Sequence, residues 1–213
     1  MTTIEDRARE SDNYNNSFLV PADPVLDAAL KNASDKGLPV DDGVSKAQGK
    51  FLYLLAKTLN AKRILEVGTL GGYSTIWLGR ALPEDGELYT LEVSKEHAKV
   101  AEENLSVAGL SAKCKVIVGP AYNSMLDMKP EVPYDLIFID ADKPSNTKYF
   151  TEAKRLVRAG GVIIVDNVIQ FPDHVEEILQ ALRNDKDLEA VTMGTIGEKG
   201  YDGFIYARKR SGS

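Results

Sequence analysis

The chain has 213 residues, 43% hydrophobic and 27% charged, which supplies enough apolar side chains for the core of one α/β domain. Against 32 Asp and Glu stand 26 Lys and Arg, a net charge of −6 that is the opposite of a nucleic-acid-binding footprint, so no nucleic-acid partner is expected. No apolar run approaches the roughly 18 residues of a membrane span, the polar start does not read as a secretory signal, and the single Cys114 excludes an intrachain disulfide; no membrane partner and a cytoplasmic location are expected.

In chain order, residues 1–20 are polar with a few aromatics, Tyr14 and Phe18 among them, and match no chemistry. Pro21 and Pro24 open a helical pattern that carries Val25, Leu26, Ala29 and Leu30 on one face, and Gly37-Leu38-Pro39 breaks it. Ser45 is a good N-cap for a second helix with Phe51, Leu52, Leu54, Leu55 and Leu59. From residue 63 short apolar runs at 63–67, 88–93, 115–118, 135–139 and 161–165 alternate with helix-like stretches at 73–81, 95–107, 146–158 and 173–183. Runs so rich in Val, Ile and Leu read as strands buried on both faces, and the alternation predicts βαβ units in a doubly wound sheet. Cys114, at the head of one run, is expected to be a half-buried strand residue. Two final runs, 190–196 and 204–209, are joined only by residues 197–203, too short for a crossover helix, which predicts an antiparallel hairpin. There is no internal repeat.

The first strand runs into Glu66-Val67-Gly68-Thr69-Leu70-Gly71-Gly72-Tyr73-Ser74. Glycines there let backbone approach a ligand at the carboxyl end of a strand. The spacing differs from the dinucleotide fingerprint Gly-x-Gly-x-x-Gly, and a carboxylate at Glu66 would repel a diphosphate, so a ligand with a cationic or neutral group is favoured. Glu92 ends the second strand, where an acid accepts from ribose hydroxyls of a nucleoside ligand.

Asp140 ends the fourth run and Asp166-Asn167 the fifth. In a parallel sheet these ends share one edge, and three converging oxygen ligands suit a hard divalent ion such as Mg²⁺. Taken singly, each is equally a cap or a turn. His97 and His174 lack metal-ligand spacing; a solvated face is expected for the first and a surface position for the second.

Together, Leu65-Glu66-Val67-Gly68-Thr69-Leu70-Gly71-Gly72-Tyr73-Ser74, Gly119-Pro120-Ala121, Phe138-Ile139-Asp140-Ala141-Asp142-Lys143 and Asp166-Asn167-Val168 strongly resemble the class I cation-dependent O-methyltransferases, the catechol and caffeoyl-coenzyme A enzymes, over about residues 40–209. The resemblance implies a Rossmann-like seven-stranded mixed sheet of order 3-2-1-4-5-7-6. It implies an S-adenosylmethionine site at Val44, Glu66, Gly68, Thr69, Gly72, Tyr73, Ser74, Glu92, Val93, Gly119, Ala121, Asp140 and Asp142. It further implies a divalent cation (Mg²⁺, with Mn²⁺ or Ca²⁺ as alternatives) on Asp140, Asp166 and Asn167, Lys143 as general base beside Asp140, a small aromatic hydroxyl substrate, and a homodimer. One methyltransferase domain would span 1–213: a cap segment at 1–44, a catalytic core at 45–210 and a short appended tail at 211–213.

The chain also departs from the pattern. The segment after Asp166-Asn167 is short, as in the catechol enzymes, and places Phe171 where relatives contact substrate with other residues. No secure match exists for the acid that catechol enzymes aim at the second hydroxyl, Glu198 being a weak candidate. Two alternatives stand beside the main reading: an S-adenosylmethionine-binding protein without catalysis, and an NAD-dependent oxidoreductase.

Overall fold

In the computed structural model, which describes residues 2–211, seven strands form one sheet in the order β3-β2-β1-β4-β5-β7-β6. Along the chain the elements are α1 (Ile4–Leu19), α2 (Pro24–Asp35), α3 (Lys46–Thr58), β1 (Arg63–Val67), α4 (Tyr73–Ala81), β2 (Glu87–Glu92), α5 (Lys95–Val107), β3 (Cys114–Val118), α6 (Ala121–Asp127), β4 (Tyr134–Ile139), α7 (Asn146–Leu156), β5 (Val157–Val165), α8 (Glu176–Asn184), β6 (Leu188–Gly197) and β7 (Gly200–Lys209). The first five strands are parallel, and β7 pairs antiparallel with both β5 and β6. Two core layers result. Ile64, Leu88, Leu136, Phe138 and Ile164 point to the face covered by α3 and α4, while Leu65, Val67, Ile137, Ile139 and Ile163 point to the face covered by α7. Burial on both faces is why these runs do not alternate in polarity.

Several expectations need correcting. The polar N-terminus is helical: Thr3 and Asp6 form a capping box for α1, which buries no residue. A short helix, α6, follows Pro120 where none was read. Strand β5 starts directly where α7 ends, so the helix is shorter and the strand longer than expected. The link 197–203 is mostly strand, since pairing continues to Gly197↔Gly200 and only Glu198 and Lys199 form the turn. Cys114 is buried rather than half-buried, with its Sγ against Gly79. Gly212 and Ser213 of the expected tail lie outside the described residues. Among the described residues no helix is long and apolar enough to cross a membrane.

Candidate active site

The strand order reverses between β1 and β4, the position where doubly wound sheets open a crevice at their carboxyl edge. A cavity of about 1360 Å³ lies there. Register fixes its floor. Val67 pairs with Ile139 and Ile139 with Val165, so Gly68, Asp140 and Asp166 follow one another side by side. The backbone amide of Asp140 donates to Val67 O at 2.8 Å, and that of Asp166 to Ile139 O at 2.9 Å. Gly68 has φ +98°, and a Cβ there would stand 2.0 Å from Asp140 O. No other residue fits that turn.

The acidic cluster is held from several directions. Lys143 Nζ donates to Asp140 Oδ1 at 2.7 Å, and both side chains are about 15% exposed (16% and 14%). Asp166 is buried, and Gln48 Nε2 donates to its Oδ2 at 2.7 Å. Burial first, then the Asp140 carboxylate, pushes the Asp166 carboxyl well above the ordinary range. Asn167 adopts a left-handed φ of +59° and gives its Nδ2 to Asp202 Oδ2 at 2.8 Å. Two crowded carboxylates next to an amide are a hard, all-oxygen donor set whose repulsion a divalent cation would relieve, so these residues fit the expected ion. Among the described residues no three His, Cys, Asp or Glu side chains cluster as a metal site.

Toward β2, Glu92 Oε2 accepts from the backbone amides of Thr69 and Leu70 at 3.2 and 2.8 Å, and Oε1 from Ser94 at 2.9 Å. A carboxylate has about four lone-pair sites, so capacity remains for a ligand hydroxyl. His97 is not on a solvated face: it lines the cavity, with Nδ1 3.7 Å from Glu92 Oε1. The phenol of Tyr149 donates to Asp142.

Of the residues expected in the site, Val44, Thr69, Tyr73, Ser74, Val93, Ala121, Asp142, Lys143 and Phe171 are on the cavity wall with Gly68, Glu92, Asp140, Asp166 and Asn167. Glu66, Gly72 and Gly119 are off it. Glu66 is fully buried, accepts from Thr75 Oγ1 at 2.5 Å, and has its carboxyl raised to about 7 by desolvation. Gly72 is the left-handed N-cap of α4, close against Ala101, and Gly119 has φ +149°. Glu198 lies in a separate small crevice with Asp12 and Lys46, and His174 is exposed outside the cavity. Gln48, Phe51, Met193, Ile196, Asp202 and Phe204 line the outer cavity or hold its acids, a role no motif marks in the sequence. Their signal would have been a three-dimensional one, since they come from α3 and the final hairpin.

Comparison with known proteins identifies the family. The sequence model of the O-methyltransferase family matches residues 22–191. A catechol O-methyltransferase of Mycobacterium tuberculosis is 44% identical, covering 93% of this chain and 94% of its own. A catechol O-methyltransferase of Niastella koreensis is 41% identical over 92% of this chain and 95% of its own. The solved O-methyltransferase of Streptomyces achromogenes involved in tomaymycin synthesis, in complex with S-adenosylmethionine, superposes with a TM-score of 0.92 at 38% identity, covering 98% of this chain and 100% of that one. A glycine turn at the switch point, acids at adjacent strand ends and these matches lead to one statement: the chain belongs to the O-methyltransferase family.

Proposed function

We propose that the protein transfers a methyl group from S-adenosylmethionine to a hydroxyl of a small aromatic acceptor, a catechol foremost, with the help of a divalent cation. The observation that carries this reading is the side-by-side placement of Asp140 and Asp166, with Asn167 next in the chain, in the same cavity as the glycine turn and the rings of Phe51, Phe171 and Phe204. The cofactor in the Streptomyces relative and the names of the two catechol enzymes support it.

In this reading the turn around Gly68, Thr69 and Ser74, with Val44, Ala121 and Asp142, surrounds the cofactor, and Glu92 accepts from its ribose hydroxyls. Glu66 and Gly72 support that turn from behind, and the Gly119 amide donates to Glu92 O beside it. Asp140, Asp166 and Asn167 would hold the cation, which would supply a lowered pKa and a fixed orientation for an acceptor hydroxyl. Lys143 takes the acceptor's proton on Nζ as the neutral amine, so the ammonium that donates to Asp140 must first give up a proton to solvent. The cofactor, when bound, would supply its methyl carbon to the acceptor oxygen, with the electron pair of the broken carbon–sulfur bond left on sulfur. Much of the rate comes from holding these groups in line. The domain acts as one unit, with residues 2–44 as its cap. Its exposed Ile4, Tyr14, Phe18 and Leu19 on α1, and Val191 and Met193 on the edge strand β6, are covered by a second copy.

The test is methyl transfer from labelled S-adenosylmethionine to a panel of catechols, hydroxycinnamates and monophenols. Transfer to vicinal diols above the rest is expected; no transfer to any aromatic acceptor would overturn the substrate class.

A further inference from the structure

Asp202 lies in β7, two residues beyond Gly200, inside a stretch that the sequence presents only as a link. Its carboxylate gathers four donors. Asn167 Nδ2 reaches Oδ2 at 2.8 Å, while the backbone amides of Ile169, Gln170 and Gly203 reach Oδ1 at 3.3, 3.1 and 2.7 Å. The Val168 amide also donates to Gly203 O at 3.0 Å. The turn after β5 is thus tied to the hairpin through both side chain and backbone. That tie accounts for Asn167 at φ +59°, a conformation that persists in a residue other than glycine where its surroundings over-determine it.

A side-chain amide has two ends of nearly equal size and opposite polarity. One way round, Asn167 offers an oxygen lone pair; the other way, two N–H groups. An ionised carboxylate only accepts, so Asp202 must face the NH₂ end, and the oxygen becomes the end available to the site. Three of the four donors converge on Oδ1, which leaves Oδ2 to face Asn167.

We propose that Asp202 is a positioning residue of the cation site: it fixes the Asn167 amide with its oxygen presented to the ion beside Asp140 and Asp166. The inference rests on the cation reading above. Asp202→Asn keeps the shape but inverts the preference: the three backbone amides hold the new oxygen at the Oδ1 position, so the NH₂ end faces Asn167 and draws the Asn167 oxygen away from the site.

Mn²⁺ is the probe, added to the cofactor-free protein, with free ion counted by electron paramagnetic resonance. Outer partners of metal ligands typically matter by about 10–100-fold in affinity, and a loss of that size is expected in Asp202→Asn. The same change is then made in an Asn167→Asp background. A carboxylate at 167 has no wrong end, and there Asp202→Asn replaces a facing carboxylate with an NH₂ donor, so the step should cost no Mn²⁺ affinity. Equal losses in both backgrounds would show a merely structural role and overturn the proposal, as would an unchanged affinity in Asp202→Asn alone. A wild type that binds no Mn²⁺ would instead sink the cation reading, and the proposal with it. Should the variant fail to fold, the Asn167 side-chain NH₂ resonances of the wild type decide. Slow solvent exchange with Mg²⁺ present is expected, and fast exchange would contradict the assignment.

Discussion

The ammonium of Lys143 lies 2.7 Å from Oδ1 of Asp140, three residues away across the tight turn after β4. The proposed base and a proposed cation ligand are therefore one unit. Lys143→Met should lower kcat by at least about 100-fold, the lower end of what a positioned base contributes. Cofactor affinity should stay unchanged. Removing a positive charge from beside two carboxylates should also tighten Mn²⁺ binding. Steady-state kinetics and Mn²⁺ titration of the same variant check both; retained turnover would remove Lys143 as base.

Lys199 makes a second bridge across the cavity mouth. From the hairpin turn its Nζ donates to the carbonyls of Val40 at 3.3 Å, Asp41 at 3.0 Å and Gly43. Val40, Asp41 and Gly43 line the cavity on the α3 side. Lys199→Ala should free that loop. With net values of about 1 kcal/mol per hydrogen bond and an exposed side chain, a rise of about fivefold in KM is expected, with kcat nearly unchanged. Equal KM values would show that the bridge does not order the loop.

The buried Glu66 sets a pH dependence. Desolvation raises its carboxyl from 4.5 to about 7, against the lowering effect of hydrogen bonds from Thr75, Thr90 and Ser74. Between these values the folded chain holds a proton that the unfolded chain has released. Stability from this group is therefore greatest below pH 4.5, falls as pH rises toward 7 and is level above it. At about 1.4 kcal/mol per pKa unit the window is worth about 3 kcal/mol. Glu66→Gln should gain thermal stability over the wild type as pH rises through that window. Parallel Tm-against-pH curves for the two proteins would contradict the assignment.

Those positions also show what was legible in the sequence. Strand β1 and helices α4 and α5 match their expected bounds, because full burial and clean helical periodicity write themselves into residue type. Asp140 and Asp166 were visible because each ends an apolar run, and strand register then brings them together. Helix α1 was hidden because it buries nothing and so carries no apolar stripe. Asp202 and Lys199 were hidden for another reason. Their partners lie 35 and more than 150 residues away, and a glycine-rich link gives no hint of either contact.

Cys114 offers a check on core packing. Burial pushes its thiol up to about 12, and a Cβ added at Gly79 would come within 2.6 Å of its Sγ. The thiolate is the reactive form, so the native protein should be inert to a disulfide reagent at pH 8 and release one equivalent only after unfolding. Stoichiometric labelling of the native state would mean that the α4–β3 contact opens readily.

In the proposed reading Asp140, Asp166 and Asn167 serve a cation needed for methyl transfer. Transfer of labelled methyl from S-adenosylmethionine to catechol should be followed with Mg²⁺, after EDTA treatment, and after Mg²⁺ is restored. Loss of transfer with EDTA and its return with Mg²⁺ is the predicted result. Equal transfer in all three conditions would contradict the account.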